Sequence, residues 1–326
     1  MPQTMLDNEV VKDAVLLACR APSVHNSQPW RWVFEDAELR LYVDRHRWVH
    51  GTDAFGREAI ISCGAVLDHL RIAMIAAGWR PDIKRFPNPD NADQLASISF
   101  APADLVTAAQ RRSAEAILQR RTDRLPLDRP THWPSFEPVL RGTIGESSVT
   151  LDVMPDEVRP QLALASQLTE ILRRDDALYH AEIDWWTASF VSYEGVPPDA
   201  LASFAERQRV DVARDFPSRG SGHRRADIAM DWSTILVLST DTDTRADVLR
   251  CGEVLSTVLL ECATAGMATC TLTHLIELDE SRDVVRQLIG GSGEPQVLIR
   301  VGVAPPMEDL PAATPRRPLD HVLEIR

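Results

Sequence analysis

The chain has 326 residues, 44% hydrophobic and 25% charged, enough for one large or two smaller globular cores. A formal net charge of −13 disfavours nucleic acid and anionic membranes as partners, since both call for a face rich in Lys and Arg. The five cysteines (Cys19, Cys63, Cys251, Cys262, Cys270) lie in apolar contexts without a Cys-x-x-Cys pair, which predicts reduced core residues and no disulfide framework.

From the N-terminus, Met-Pro-Gln-Thr-Met-Leu-Asp has neither the basic start nor the apolar core of a signal peptide, and no stretch approaches roughly 20 uncharged apolar residues. A cytoplasmic protein is expected. Residues 9–20 predict a helix with Val10, Ala14, Val15, Leu17 and Ala18 on its apolar side, stopped by Pro22. A polar, proline-bearing loop follows to Trp30, then two strands at residues 31–35 and 39–43 around an acidic turn at Asp36. Trp30 and Trp32 are expected in the core. His25 is expected to cap the local turn. A helix ends at Ala77-Gly78, residues 95–102 read as a strand, and residues 108–120 as another helix. An extended connection over residues 125–134 leads to a strand at 149–154. Residues 162–190 predict one or two helices with the aromatic cluster Trp185, Trp186, Phe190 and Tyr193. The irregular stretch over residues 192–231 has the length of a lid or binding loop. A buried strand at 232–240, a second long helix, the connector at 269–273, a strand at 297–305 and a tail with Pro315-Arg-Arg-Pro complete the order.

The chain carries a repeat of itself. Cys63-Gly64, Val66-Leu67 and Ala77-Gly78 recur as Cys251-Gly252, Val254-Leu255 and Ala265-Gly266, each 188 residues later. Both copies are helical stretches with apolar residues three and four apart, ended by an Ala-Gly pair and followed by a β-like run. Two copies of one α+β unit within one chain are predicted.

Several catalytic patterns are missing: Gly-x-Gly-x-x-Gly, Gly-x-x-x-x-Gly-Lys, Gly-x-Ser-x-Gly and His-Glu-x-x-His. Cys270-x-x-x-His274 lacks a second ligand pair, so no metal is proposed. What stands out in an acidic protein is positive charge at Arg120, Arg121 and Arg124 and again at Arg316 and Arg317, with Thr122 between the first set. Either cluster alone is consistent with a helix C-terminus or a solvated tail. Together they suggest a bound phosphate, which guanidinium groups hold in bidentate fashion.

The segment from Arg20 to Trp30, Arg-Ala-Pro-Ser-Val-His-Asn-Ser-Gln-Pro-Trp, resembles the Pro-Ser-x-x-Asn-x-Gln-Pro-Trp loop of the FMN-binding nitroreductases, in particular their Acg type. Arg120-Arg-Thr-Asp-Arg124 is similar to that family's Arg-x-Ser/Thr-x-Arg/Lys phosphate motif, and the resemblance spans essentially the whole chain. It implies an α+β, nitroreductase-like fold with FMN as cofactor. Pro22, Ser23, Val24 and Asn26 would then meet the flavin ring. Cys270, Thr271 and Leu272 would meet its dimethylbenzene and N5 edge, and Arg120, Arg121, Thr122, Arg124, Arg316 and Arg317 the phosphate.

Nitroreductases are usually homodimers with two flavin sites, so the repeat implies such a dimer fused into one monomeric chain. A first half at residues 1–107 and a second at 108–326, with a lid at about 185–231, would share a single flavin site, because the proline loop and the arginine motif each occur once. Two functions follow from the resemblance. One is an NAD(P)H-dependent reductase passing hydride through flavin to a nitroaromatic or quinone; no side chain is expected to act as acid or nucleophile there, since the cofactor performs the redox step. The other is storage or sequestration of FMN beneath a fixed lid, in keeping with the association of the Acg type with bacterial dormancy and stress.

Overall fold

The computed structural model describes residues 6–145, 147–188, 193–217, 222–291, 293–306 and 312–326. Helix α1 (Asn8–Ala18) starts where the Asp7 carboxylate accepts the Glu9 amide at 3.0 Å, a side-chain N-cap. After the loop come β1 (Trp30–Glu35), β2 (Glu38–Val43), the long helix α2 (Arg57–Ala76), β3 (Trp79–Arg85) and β4 (Gln94–Pro102). Helices α3 (Ala108–Gln119) and α4 (Trp133–Ile144) lead to β5 (Val149–Met154), then α5 (Arg159–Arg173), α6 (Ala177–Trp186) and the short α7 (Phe204–Arg207). The chain continues through β6 (Thr234–Thr240), α8 (Arg245–Thr264), β7 (Ala268–Leu272), α9 (Asp279–Leu288), β8 (Glu294–Gly302) and β9 (Leu323–Ile325).

The strands form two antiparallel sheets whose orders match. One runs β3-β4-β2-β1, with β9 added in parallel beside β1; the other runs β7-β8-β6-β5. Each carries a register shift at the same place, between Leu41 and Tyr42 in β2 and between Leu238 and Ser239 in β6. Helices α2 and α8 are both 20 residues long, and their bounds differ by 188 positions. Each is stopped by a glycine with positive φ, Gly78 at 86° and Gly266 at 74°, a conformation in which a Cβ is strained.

The two long helices cross at Gly64 and Gly252. A Cβ built on Gly64 would overlap the Leu249 carbonyl and stand 2.8 Å from Gly252 Cα, and one on Gly252 would overlap the Ile61 carbonyl and stand 2.9 Å from Gly64 Cα. Only glycine lets the backbones approach this closely. Around the crossing, Val66, Leu67 and Leu70 of α2 and Leu255, Val258 and Leu259 of α8 join a core cluster that reaches both sheets. Trp30 and Trp32 are fully buried in it, as expected, and all five cysteines are buried thiols.

Helix α2 has the length and mean hydropathy of a membrane span, but Asp68 and Arg71 interrupt it and 83% of its apolar window is buried inside the fold. One expectation needs correction. The 269–273 connector is largely the strand β7, paired with β8. Of the aromatic cluster, Trp186 is buried while Trp185 and Tyr193 are exposed, and Phe190 lies outside the described residues. So do parts of the expected lid, residues 189–192 and 218–221.

Candidate functional site

Two adjoining cavities share the walls Pro22, Ser23, Thr122 and Arg124 and together form a crevice between the two sheet-and-helix units. The loop from Pro22 enters it because Val24 donates its amide to Ser62 Oγ on α2 at 3.2 Å and Gln28 donates its amide to Ser23 Oγ at 3.0 Å. The loop's tight course places His25, Asn26 and Gln28 at positive φ (47°, 57° and 53°). The arginine motif arrives from the other side: Thr122 bridges to Thr269, and Asp123 donates its amide to the Thr269 carbonyl at 2.8 Å, which sets residues 120–124 alongside β7.

One end of the crevice is strongly basic. Its cavity, of about 420 Å³, is lined by Arg20, Arg120, Arg121, Arg124 and Arg316, and also by Asn26. The carbonyls just past the end of α1 gather two of these arginines. Arg316 donates to the Cys19 and Arg20 carbonyls at 2.8 and 3.1 Å, and Arg120 donates to the Arg20 carbonyl at 3.3 Å. Among the described residues none of Arg20, Arg120 and Arg316 forms an ion pair with a carboxylate, and Arg120 Nε, buried, has no partner. Burial lowers Arg120 to about 10, helped by Arg20, and lowers Arg316 to about 9, helped by Arg20 and Arg120. Buried like charges crowded without a counter-ion are stabilised by an anion. Two further arginines of the same wall are already neutralised, Arg225 by Asp123 at 2.6 Å and Arg224 by Glu206 at 2.8 Å.

The other end is narrower, about 130 Å³, and more apolar. Pro22, Ser23 and Val24 face Cys270, Thr271 and Leu272 across it, with Ile61 of α2, Leu255 of α8 and Val297 of β8 between. Residues 213–216 close one side. Phe216 sets its ring edge-on to His25 at 5.9 Å and under the Arg124 guanidinium at 5.3 Å, while Arg214 pairs with Glu277 and donates to the Tyr179 hydroxyl at 3.0 Å. His25 Nε2 lies 3.2 Å from Thr52 Oγ1, so this ring lines the cavity instead of capping its own turn. Burial, then Arg214 and Arg124, hold His25 well below its usual range. Burial, then Arg214 and Arg207, do the same to His274. Glu58 of α2 also faces the cavity, and burial, then Glu277 and Asp53, raise its carboxyl well above the usual range.

No family model matches the chain. It is similar along nearly its full length to proteins of Mycobacterium tuberculosis. Uncharacterized protein Rv3127 is 64% identical over 321 residues, spanning 97% of this chain and 93% of that one. The protein named "Putative NAD(P)H nitroreductase acg" is 54% identical over 326 residues, spanning 100% of this chain and 98% of that one.

The chain belongs to the Acg-type nitroreductase family.

Among solved structures, a protein from Anabaena variabilis described as "a putative nitroreductase" aligns over 91% of this chain and 88% of its own at 10% identity, with a TM-score of 0.45. FMN-dependent NfnB from Mycobacterium smegmatis, solved in complex with NADPH, aligns over 65% and 96% at 17% identity, with a TM-score of 0.39.

Of the site residues expected in this Acg-type chain, Pro22, Ser23, Val24, Asn26, Arg120, Arg121, Thr122, Arg124, Cys270, Thr271, Leu272 and Arg316 all line the crevice. Arg317 does not. Its guanidinium turns back to the Gln28 and Trp30 carbonyls at 3.2 and 3.3 Å and tethers the tail. The Asn26 amide is also engaged, donating to the Gly195 and Pro315 carbonyls at 3.0 and 3.1 Å, so that it joins the proline loop to the expected lid and the tail. Sequence reading missed Arg20, Glu58 and Arg214, and weighed His274 only as half of a metal pair. Arg20 was legible, since it adjoins the proline loop; Glu58 and Arg214 belong to no motif and enter the crevice only through tertiary packing.

Proposed function

We infer that this chain binds one FMN in the crevice and uses it as an NAD(P)H-dependent reductase of nitro or quinone compounds. The observation that carries the reading is the pairing of ends: Arg20, Arg120 and Arg316 without a carboxylate partner at one, and the narrow slot between Val24 and Leu272 at the other. A phosphate suits the first and a flat, largely apolar ring the second. The flavin would supply two-electron transfer at its ring. The protein's part is to hold the phosphate, sandwich the ring between residues 22–24 and 270–272, and keep water from one side with residues 213–216.

On this reading the chain is an internally duplicated counterpart of a nitroreductase homodimer and is complete as a monomer. Support comes from the matched strand orders, the paired 20-residue helices and the reciprocal Gly64 and Gly252 contact. Residues 1–107 and 108–326 would be its halves, although β9 and the tail return to the first sheet. Anaerobic mixing of the yellow protein with NADPH tests turnover: bleaching of the oxidised flavin band within seconds supports a reductase.

A second reading, FMN storage under a fixed cover, is favoured by one observation. The stretch expected as a lid is fastened to the flavin loop by Asn26, and by Gln28, which donates to the Tyr193 carbonyl at 2.9 Å. An oxidised spectrum that persists with NADPH but bleaches with dithionite supports that reading instead.

A further inference from the structure

Glu58 is the second residue of α2 and lines the ring end of the crevice. It is 2% exposed, and neither carboxyl oxygen has a hydrogen-bond partner among the described residues. Among the described residues none of the charged groups around it hydrogen-bonds to it. Arg214 pairs with Glu277, Arg57 donates through Nη2 to the Ile276 carbonyl while its Nη1 is buried without a partner, and Asp53 Oδ2 accepts the Ala59 amide at 2.8 Å. A bare carboxylate in such a place is costly, whereas a neutral carboxyl keeps an O–H to offer to whatever enters the cavity. Helix α8 needs no such residue. The position 188 residues later is Ala246, and the first-turn acid there is Asp247.

We propose that Glu58 is the proton donor of the ring-end cavity, giving its proton to the carbonyl oxygen of a quinone-type acceptor as that acceptor takes a hydride. This rests on the reductase reading above. The Glu58 O–H bond breaks and an O–H bond forms on the acceptor. The hydride, drawn from NAD(P)H by way of bound flavin, brings two electrons and the second hydrogen, so the quinone leaves as a hydroquinone. Glu58 is left as a carboxylate beside Arg214 and Arg57, and water admitted as product departs returns its proton. Other groups near the slot are poorer donors. Glu277 is held by Arg214, and His25 and His274 are neutral imidazoles, too weakly acidic for the task.

The test is Glu58→Gln, which keeps the size and neutrality of the side chain but has no proton to give, with Glu58→Asp as the conservative variant. Infrared spectra of wild type and Glu58→Gln at neutral pH read the protonation state, and re-oxidation of the dithionite-reduced protein by benzoquinone reads proton delivery. We expect a protonated-carboxyl band in wild type that Glu58→Gln lacks. Re-oxidation should slow about 100-fold in Glu58→Gln, on the scale of general-acid catalysis, with flavin content unchanged and part of the rate recovered in Glu58→Asp. Identical infrared spectra, or wild-type re-oxidation by a flavin-loaded Glu58→Gln, overturns the proposal alone. Wild-type protein that takes up no flavin overturns the reductase reading, and the proposal with it.

Discussion

The substitution Gly64→Ala isolates the crossing on which the two halves of the crevice depend. Alanine is the better helix former, so propensity alone stabilises α2 by about 1 kcal/mol. Packing opposes it. The new methyl would stand 2.8 Å from Gly252 Cα, against 3.4 Å for ordinary contact, so the helices must part by about 0.6 Å, and further to clear the Leu249 carbonyl. A radial gap of roughly 0.5–1 Å forfeits about a quarter to a half of each dispersion contact, and Leu67, Leu70, Leu255 and Leu259 share this interface. Overpacking of this kind costs about 1–3 kcal/mol, occasionally more, and against rigid backbone the upper part of that range applies. The net expectation is a loss of about 1–2 kcal/mol. Gly142→Ala in α4 is the matched control: a Cβ there meets nothing within 4 Å, so the same change should stabilise by about 0.5–1 kcal/mol. Urea unfolding with unchanged m-values reads both variants. A Gly64→Ala protein as stable as Gly142→Ala would refute the close-crossing argument.

Arg120→Ala and Arg316→Ala should each weaken FMN binding by about 1.5–3 kcal/mol, the scale of a charged hydrogen bond, whereas Arg317→Ala should leave FMN affinity unchanged; fluorescence titration decides. Phe216→Ala removes the ring held between His25 and Arg124 and should speed flavin reduction by NADPH in stopped flow; an unchanged rate argues that residues 213–216 do not limit access. Glu206 is opposed by its own burial, but Arg224 and the Ser203 and Arg224 amides bring it down to about 2. The depressed value means that this stabilisation is fully present above an unfolded pKa of about 4.3 and is lost as pH falls toward 2. Glu206→Gln should therefore flatten the acid limb of the stability curve, measured by thermal unfolding between those pH values.

Much of the framework was legible where a pattern extended far enough to be periodic. The repeat located α2 and α8, β5 was placed residue for residue, and the motifs found the proline loop and Arg120. Helix α4 was not foreseen: the proline-bearing run to Pro134 reads as extended, although Pro134 sits harmlessly in the helix's opening turn. Strand β9 has three residues, too few for alternation to register, and its place beside β1 is decided by the tail's return. The outward course of Arg317 is hidden for a related reason: adjacency to Arg316 cannot say which of two neighbouring guanidinium groups turns inward. Glu58 lay in plain view within α2. That it faces a cavity without a partner is a property of the packing, invisible in any run of residues.

The most direct measurement is parallel titration of flavin-free protein with FMN and with riboflavin, which differ only by the phosphate. The account predicts one FMN per monomeric chain, with riboflavin bound at least about tenfold more weakly, the loss of one or more charged hydrogen bonds. Equal affinity for the two, or no binding of either, would contradict it.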